Sequence, residues 1–170
     1  MILIKECPMI SLSEILKSFF HQLRKGVFYM TLKTNLNCHE TEHCKKTSEQ
    51  EIAALFDRWN QSLQTGDPRK VVENFTVDAI LLPTYSNKPC LTPKDKESYF
   101  YHFLKKGPSG KVDLRHIEIG HNVAVDVGLY TLTFATTGEK VSARYTFTYR
   151  WNGSEWLITS LHSSVMPECH

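Results

Sequence analysis

Four hydroxyl-bearing residues stand where the chain can bring their side chains together: Thr84, Tyr99, Tyr149 and Ser163, with Ser164 adjacent to the last. Thr84 follows the apolar run Ala79-Ile80-Leu81-Leu82, at its mouth. Tyr99 belongs to the stripe Tyr99, Phe100, Phe103, Leu104, which has helical spacing. Tyr149 and Ser163 lie in two aromatic and β-branched runs separated by Asn152-Gly153, the strongest short-range signal of a tight β-hairpin. Taken singly, each hydroxyl reads as structural, because a buried tyrosine needs only one hydrogen-bond partner. Taken together, they can line a small neutral pocket that holds a compact polar anion.

Other chemistries are less well supported by spacing. Cys38-His39-Glu40-Thr41-Glu42-His43-Cys44 offers N and S donors of the kind tetrahedral zinc takes. The spacing is cramped, without the long loop that usually separates ligand pairs, so adventitious binding or none is the expectation. His102, His116, His121 and His162 are scattered, and nothing in the pattern makes three of them converge. No metal and no cofactor are therefore expected. There is no Gly-rich phosphate loop and no Gly-x-Ser-x-Gly elbow. Cys90 has no obvious base nearby, and Asp57 with Arg58 reads as a surface pair. Asp78 and His102 form an acid–base pair only if both point inward.

The elements that position these groups follow from periodicity. Ile52, Leu55, Phe56, Trp59 and Leu63 make one apolar stripe behind a Ser48/Glu51 capping box, predicting a helix that ends near Gly66. Asp67-Pro68 opens a second helix, with Val71, Val72 and Phe75 inward. Residues 79–82 read as a short buried strand, closed by Pro83. Thr92-Pro93 with Asp95 opens a third helix, which Lys105-Lys106-Gly107-Pro108 ends. From Lys111 onward the period is two, predicting strands near 111–119, 122–134, 140–151 and 155–165. In the third of these, Tyr145, Phe147 and Tyr149 share a face. Helices first and an antiparallel sheet last give an α+β fold. A long bent sheet around one helix encloses a concave cavity, the default place for a ligand.

Residues 1–47 stand apart. Leu12, Ile15, Leu16, Phe19, Phe20 and Leu23 suggest an amphipathic helix over 11–28, followed by a polar linker. The expected organisation is an N-terminal extension over 1–47 and one domain over 48–168. With 170 residues, 41% hydrophobic content and a net charge of +2, the chain suits a globular domain and gives no basic surface for nucleic acid. No apolar run approaches the roughly 18 residues that span a bilayer. Five scattered cysteines without a secretory signal read as free thiols in a reducing compartment. The cytoplasm is the expected location; a transit peptide within the first 46 residues, where Lys and Arg outnumber acids, is the alternative.

Leu81-Leu-Pro-Thr-Tyr-Ser-Asn87, Ser98-Tyr-Phe-Tyr-His-Phe-Leu104, Ala143-Arg-Tyr-Thr-Phe-Thr-Tyr149 and His162-Ser-Ser-Val-Met-Pro-Glu168 resemble bacterial and algal relatives of the calcium/calmodulin-dependent kinase II association domain. The His-Ser-Ser-x-Met-Pro-Glu ending is similar to that of the iota-class carbonic anhydrases within that group. The resemblance covers roughly residues 48–168. It implies a cone-shaped, nuclear-transport-factor-like α+β fold, with helices packed on a strongly curved, mostly antiparallel sheet. It implies a homodimer or higher homo-oligomer formed through that sheet, and reversible hydration of CO2 to bicarbonate by a carbonate dehydratase. In metal-free members bicarbonate is held by Thr, Tyr and Ser hydroxyls, which fall here on Thr84, Tyr99 and Ser163, with Ser164 the alternative. Many relatives carry several histidines before the Ser-Ser pair; here only His162 stands in Thr159-Ser160-Leu161-His162, which favours the metal-free form. On this reading Tyr149 and Ser164 complete the substrate contacts. Leu82, Phe103 and Phe147 wall the CO2, and His102 or His162 shuttles protons. The rival expectation is a non-enzymatic oligomerisation or ligand-binding module of the same fold.

Overall fold

The structure, a computed structural model, describes residues 45–167. The helix proposed over 11–28, the linker and the Cys38–Cys44 cluster lie outside the described residues.

Helix α1 spans Glu49–Gln64, α2 Pro68–Val72 and α3 Pro93–Phe103, the last continued by a single 3-10 turn, Leu104–Lys106. The strands are β1 Phe75–Leu82, β2 Pro108–Ile119, β3 Val123–Phe134, β4 Lys140–Trp151 and β5 Trp156–Val165. They form one sheet in the order β1-β5-β4-β3-β2. β1 runs parallel to β5 and every other pair is antiparallel, so the sheet is mostly antiparallel, as expected.

Local chemistry starts each helix. Ser48 Oγ accepts from the Glu51 N–H at 3.2 Å, while the Glu51 carboxylate lies 3.3 Å from Lys45. Asp67 accepts from the Arg69 N–H at 2.9 Å, with Pro68 where its missing N–H is harmless. At α3 the capping box is complete: the Asp95 N–H donates to Thr92 Oγ1 at 3.1 Å and the Thr92 N–H to Asp95 Oδ2 at 3.0 Å. Gly107 ends the 3-10 turn at φ 61°, a left-handed conformation, and a Cβ there would meet the Ala135 methyl at 2.9 Å.

The predicted α1 stripe is the buried one, Ile52, Leu55, Phe56, Trp59 and Leu63. It packs on the inner face of the sheet, where Tyr130, Leu132, Ala143, Tyr145, Phe147 and Tyr149 alternate inward and are buried. Phe56 has Trp59, Tyr130, Tyr145 and Phe147 around it at ring distances of 5.7, 6.3, 5.9 and 5.9 Å. Burying each such side chain stabilises by about 1.5–3 kcal/mol relative to exposure.

Three expectations shift. β1 begins at Phe75, not at residue 79, and Phe75 belongs to the sheet, not to the second helix. The reason is tertiary: Phe75 pairs with Ile158 on β5 and its ring meets Phe100 at 6.1 Å. β2 begins at Pro108, which sits opposite Phe134 at the strand end, a place that tolerates a missing N–H. Arg58 is no surface partner of Asp57. It donates to Trp156 O at 2.6 Å and Asn74 Oδ1 at 3.1 Å, tying α1 to the start of β5 and to the buried Asn74 before β1.

Candidate functional site

The two ends of the site are brought together by strand register. β1 and β5 run parallel with Leu81 beside Leu161 and Leu82 beside His162. Thr84, two residues past β1, therefore arrives beside Ser163. Thr84 Oγ1 and Ser163 Oγ form a short hydrogen bond. Ser163 Oγ also bonds the Tyr130 hydroxyl at 2.6 Å. Three uncharged hydroxyls from β1's exit loop, β5 and β3 thus make one chain.

This chain borders a small, partly open chamber whose walls are Trp59, Leu81, Pro83, Phe100, Phe103 and Leu161, together with Thr84, Tyr99, Tyr130 and Ser163. Its void is about 20 Å³, on the scale of a single water. Tyr99 enters from α3, its ring stacked on Phe103 at 5.5 Å. Burial pushes the Tyr99 phenol well above the ordinary tyrosine range. Burial also raises Tyr130, with hydrogen bonds to Ser163 and Thr84 pulling in the opposite direction. Both phenols are therefore neutral near pH 7.

The structure brings Thr84, Tyr99, Ser163 and Phe103 together here. Tyr130 is the member that sequence reasoning missed. Its signal was its place in the alternating inward set of β3, which ends Tyr130, Leu132, Phe134; that pattern marks burial but not a hydroxyl partner.

Four expected contacts fall elsewhere. Phe147 lies deeper, its ring 5.2 Å from Trp59 and stacked 5.8 Å from Tyr149, within the α1–sheet core. Tyr149 is wholly buried and its hydroxyl has no hydrogen-bond partner. It pairs with Ile158, beyond an irregularity in the β4–β5 register, while Tyr145 takes the place opposite Ser163. Leu82 is 44% exposed, because alternation along β1 turns Leu81 inward and Leu82 out. Ser164 sits outside the chamber for the same reason on β5. His162 and Ser164 line an outer groove of about 290 Å³, which Thr84 and Ser163 also border. His102 lies on the outer side of α3, in a recess of about 400 Å³ with Tyr85, Lys88, Tyr99, Phe103 and Lys106. The chamber is thus bordered by an open groove on one side and shares Tyr99 and Phe103 with the recess on the other.

A second polar cluster, also missed, sits in the inner face of the sheet. Asp126 on β3 is wholly buried. Its Oδ1 accepts from Arg115 Nε at 3.1 Å and from the Tyr145 hydroxyl at 2.9 Å. Burial raises the Asp126 carboxyl above the usual carboxylate range, against the lowering pull of Tyr145 and Arg115. Asp126 Oδ2 and Arg115 Nη2 are buried without partners. Asp78, by contrast, is exposed on β1, and with His102 on the outer side of α3 the pair proposed for proton abstraction is not assembled. Among the described residues no three His, Cys, Asp or Glu side chains gather in a way that could hold a metal ion, and no helix is long and apolar enough to cross a membrane.

Helices packed on one curved, mostly antiparallel sheet are the nuclear transport factor 2-like, cystatin-like α+β architecture. A Nostoc punctiforme protein of unknown function with a cystatin-like fold matches at TM-score 0.61 and 19% identity, over 74% of this chain and 96% of that one. A nuclear transport factor 2-like protein of unknown function from Pseudomonas putida matches at TM-score 0.63 and 15% identity, over 74% and 91%. Within that architecture, the family model described as the calcium/calmodulin dependent protein kinase II association domain matches residues 48–167, and the chain belongs to that family. A putative association domain of the same kind from Xanthomonas campestris is similar at 42% identity and TM-score 0.69, covering 73% of this chain and 91% of that one. Comparison with curated proteins finds no match.

Proposed function

We propose that this chain is a carbonic anhydrase that hydrates CO2 in a hydroxyl-lined chamber without a metal. The observation that carries the reading is the Thr84–Ser163–Tyr130 hydroxyl chain, which lines one small, otherwise apolar cavity together with Tyr99. The donor set is all alcohol and phenol, which suits a small neutral gas and a compact oxyanion better than it suits a metal ion.

The reaction asks for a water beside CO2 and for stabilisation of the charge that grows on the CO2 oxygens. The chamber is of the size that orders one water against Thr84 and Ser163. Leu81, Phe100, Phe103 and Leu161 supply apolar contact for CO2. As the water oxygen bonds to carbon, one C–O π pair moves onto oxygen, and the neutral phenols of Tyr99 and Tyr130 donate to it. The water proton leaves toward the groove bordered by Thr84 and Ser163, where exposed His162 relays it to buffer. Water and CO2 together, like bicarbonate, exceed a void on the scale of one water, so both CO2 entry and bicarbonate release require the 83–89 loop or the Tyr99 ring to give way.

The test is CO2 hydration followed by a pH indicator in stopped flow, after exhaustive chelation. Wild type is expected to be active, and Tyr99→Phe and Ser163→Ala each to lose most activity while remaining folded. Full activity in both variants overturns the site, and activity restored only by added zinc or manganese overturns the metal-free mechanism.

A self-association module is the second reading, favoured by the outer sheet face. There Leu114 is 60% exposed and Val127, Leu129 and Thr146 border a shallow apolar hollow. Such a face suits contact with a second copy of the chain, in keeping with the association-domain family. Both functions can reside in one molecule.

A further inference from the structure

Lys96 sits on the core-facing side of α3, one and two turns before Phe100 and Phe103, and its relative exposure is 0%. Its Nζ has no hydrogen-bond partner. An ammonium removed from water without a partner is strongly unfavourable, so the amine is displaced toward its uncharged form. Burial lowers it from the ordinary lysine value, against the opposing influence of Cys90, Asp95 and Asp78. The opposition is weak for physical reasons. Burial pushes the Cys90 thiol up, which keeps it neutral. Asp95 is engaged by Thr92 in the helix cap, and Asp78 is exposed to water, which screens it.

A recess adjoins two of these neighbours. Cys90 and Asp95, the groups that act most strongly on the Lys96 amine, both line the recess of about 400 Å³ outside α3. Lys88 lines the same recess, and its charge is felt by both of them.

We propose that Lys96 is a reversible carbon dioxide site, which it binds as a carbamate. A wholly buried amine can be reached only by a reagent that is small and uncharged and that passes between packed side chains. CO2 meets those conditions and needs no co-reactant. The Nζ lone pair forms the N–C bond, one C–O π pair moves onto oxygen, and Nζ releases one proton to water. The product is the anion Lys96-NH-COO⁻. Larger acyl donors and sugar aldehydes do not fit an amine with no exposed surface.

This site is separate from the hydration chamber, whose walls do not include Lys96, and it does not rest on the carbonic anhydrase reading. α3 carries both Lys96 and Tyr99, so loading Lys96 changes the charge on the helix that forms one chamber wall.

The experiment traps the adduct. Full-length wild type and Lys96→Met are equilibrated with ¹³C-labelled bicarbonate and CO2 and the carbamate carbonyl is read by ¹³C NMR; O-alkylation with triethyloxonium, digestion and mass spectrometry then locate adducts on residues the reagent reaches. The expected result is a ¹³C carbamate on Lys96 at clearly higher occupancy than on exposed Lys94, since burial displaces the Lys96 amine toward its uncharged, nucleophilic form. The adduct should be absent from Lys96→Met and present in Ser163→Ala. Loss of hydration in Ser163→Ala with the adduct retained separates the two readings, and so does an adduct in wild-type protein that shows no turnover. Absence of the adduct from Lys96 in folded wild type, or equal labelling of Lys94 and Lys96, overturns the proposal. Should Lys96→Met fail to fold, localisation of the adduct in wild type still decides.

Discussion

Replacing Asp126 separates two contributions that a buried ion pair usually confounds. Asp126→Ala removes the acceptor of two donors, Arg115 Nε at 3.1 Å and the Tyr145 hydroxyl at 2.9 Å. It leaves a guanidinium that is largely covered, its side chain only 24% exposed, and the buried Tyr145 hydroxyl, both without their acceptor. Breaking a buried pair in this way costs about 3–5 kcal/mol, and the partial exposure of Arg115 places the expectation near the lower end. In a domain of this size that lowers Tm by roughly 10 °C. Asp126→Asn behaves differently, because its side-chain oxygen can still accept from both donors and only the charge is lost. The folded carboxyl is raised, since burial outweighs Arg115 and Tyr145. A group raised in this way binds more protons in the folded state than in the unfolded one. Its contribution is fully present below the unfolded carboxylate value and is lost as pH rises through the folded value. Wild type should therefore lose ground to Asp126→Asn between about pH 4 and neutrality, and near pH 7 the Asn variant should stand within about 1 kcal/mol of it. Urea unfolding of the three proteins at several pH values measures this directly. An Asn variant as unstable as Ala, or a gap that moves in wild type's favour as pH rises, refutes the assignment of the raised carboxyl.

Other positions test the fold and the chamber separately. Gly128→Ala places a methyl against the Leu114 carbonyl at the β2 irregularity; it should cost more than about 3 kcal/mol or prevent folding, read by circular dichroism and denaturant titration. Tyr130→Phe removes the hydroxyl on Ser163, and should cost about 1 kcal/mol in stability while lowering CO2 hydration about tenfold or more, read by paired unfolding and stopped-flow measurements. Arg58→Met breaks the links to Trp156 O and Asn74 and should cost about 1.5–3 kcal/mol without altering hydration per folded molecule.

Much of this architecture is written locally. The α1 stripe, the three N-caps and the Asn152-Gly153 hairpin are consequences of residues a few positions apart, and each stands where its neighbours place it. Alternation also turns Ser163 inward and His162 outward. What local patterns do not contain is register between distant strands. The pairing of Leu82 with His162 along parallel β1 and β5 joins residues eighty apart, and it alone decides that Thr84 meets Ser163. The same kind of information shifts Tyr149 off the chamber, because an irregularity between Thr148 and Tyr149 offsets β4 against β5. Phe75 shows the converse failure: a helical spacing sufficient to suggest α2 is overridden by a sheet partner.

The missed charges have a different cause. Asp126 and Arg115 occupy inward positions on strands whose other inward residues are apolar, and an alternating pattern alone gives no reason to place a carboxylate there. Their burial becomes tolerable only through each other and through Tyr145, three residues on three strands. The cone therefore holds two polar centres of opposite design. One is charged, has buried atoms without partners, and sits under α1. The other is uncharged, has every Ser163 contact satisfied, and borders a void on the scale of a water. A site that must accept CO2 and release an anion gains from the second arrangement, because neutral donors bind a growing negative charge without holding it as tightly as a fixed cation. If moving a cation into the chamber, as in Ser163→Arg, raised the affinity for bicarbonate and lowered turnover in the stopped-flow assay, that distinction would be borne out; unchanged turnover with tighter bicarbonate would show that release does not depend on the neutrality of the hydroxyl chain.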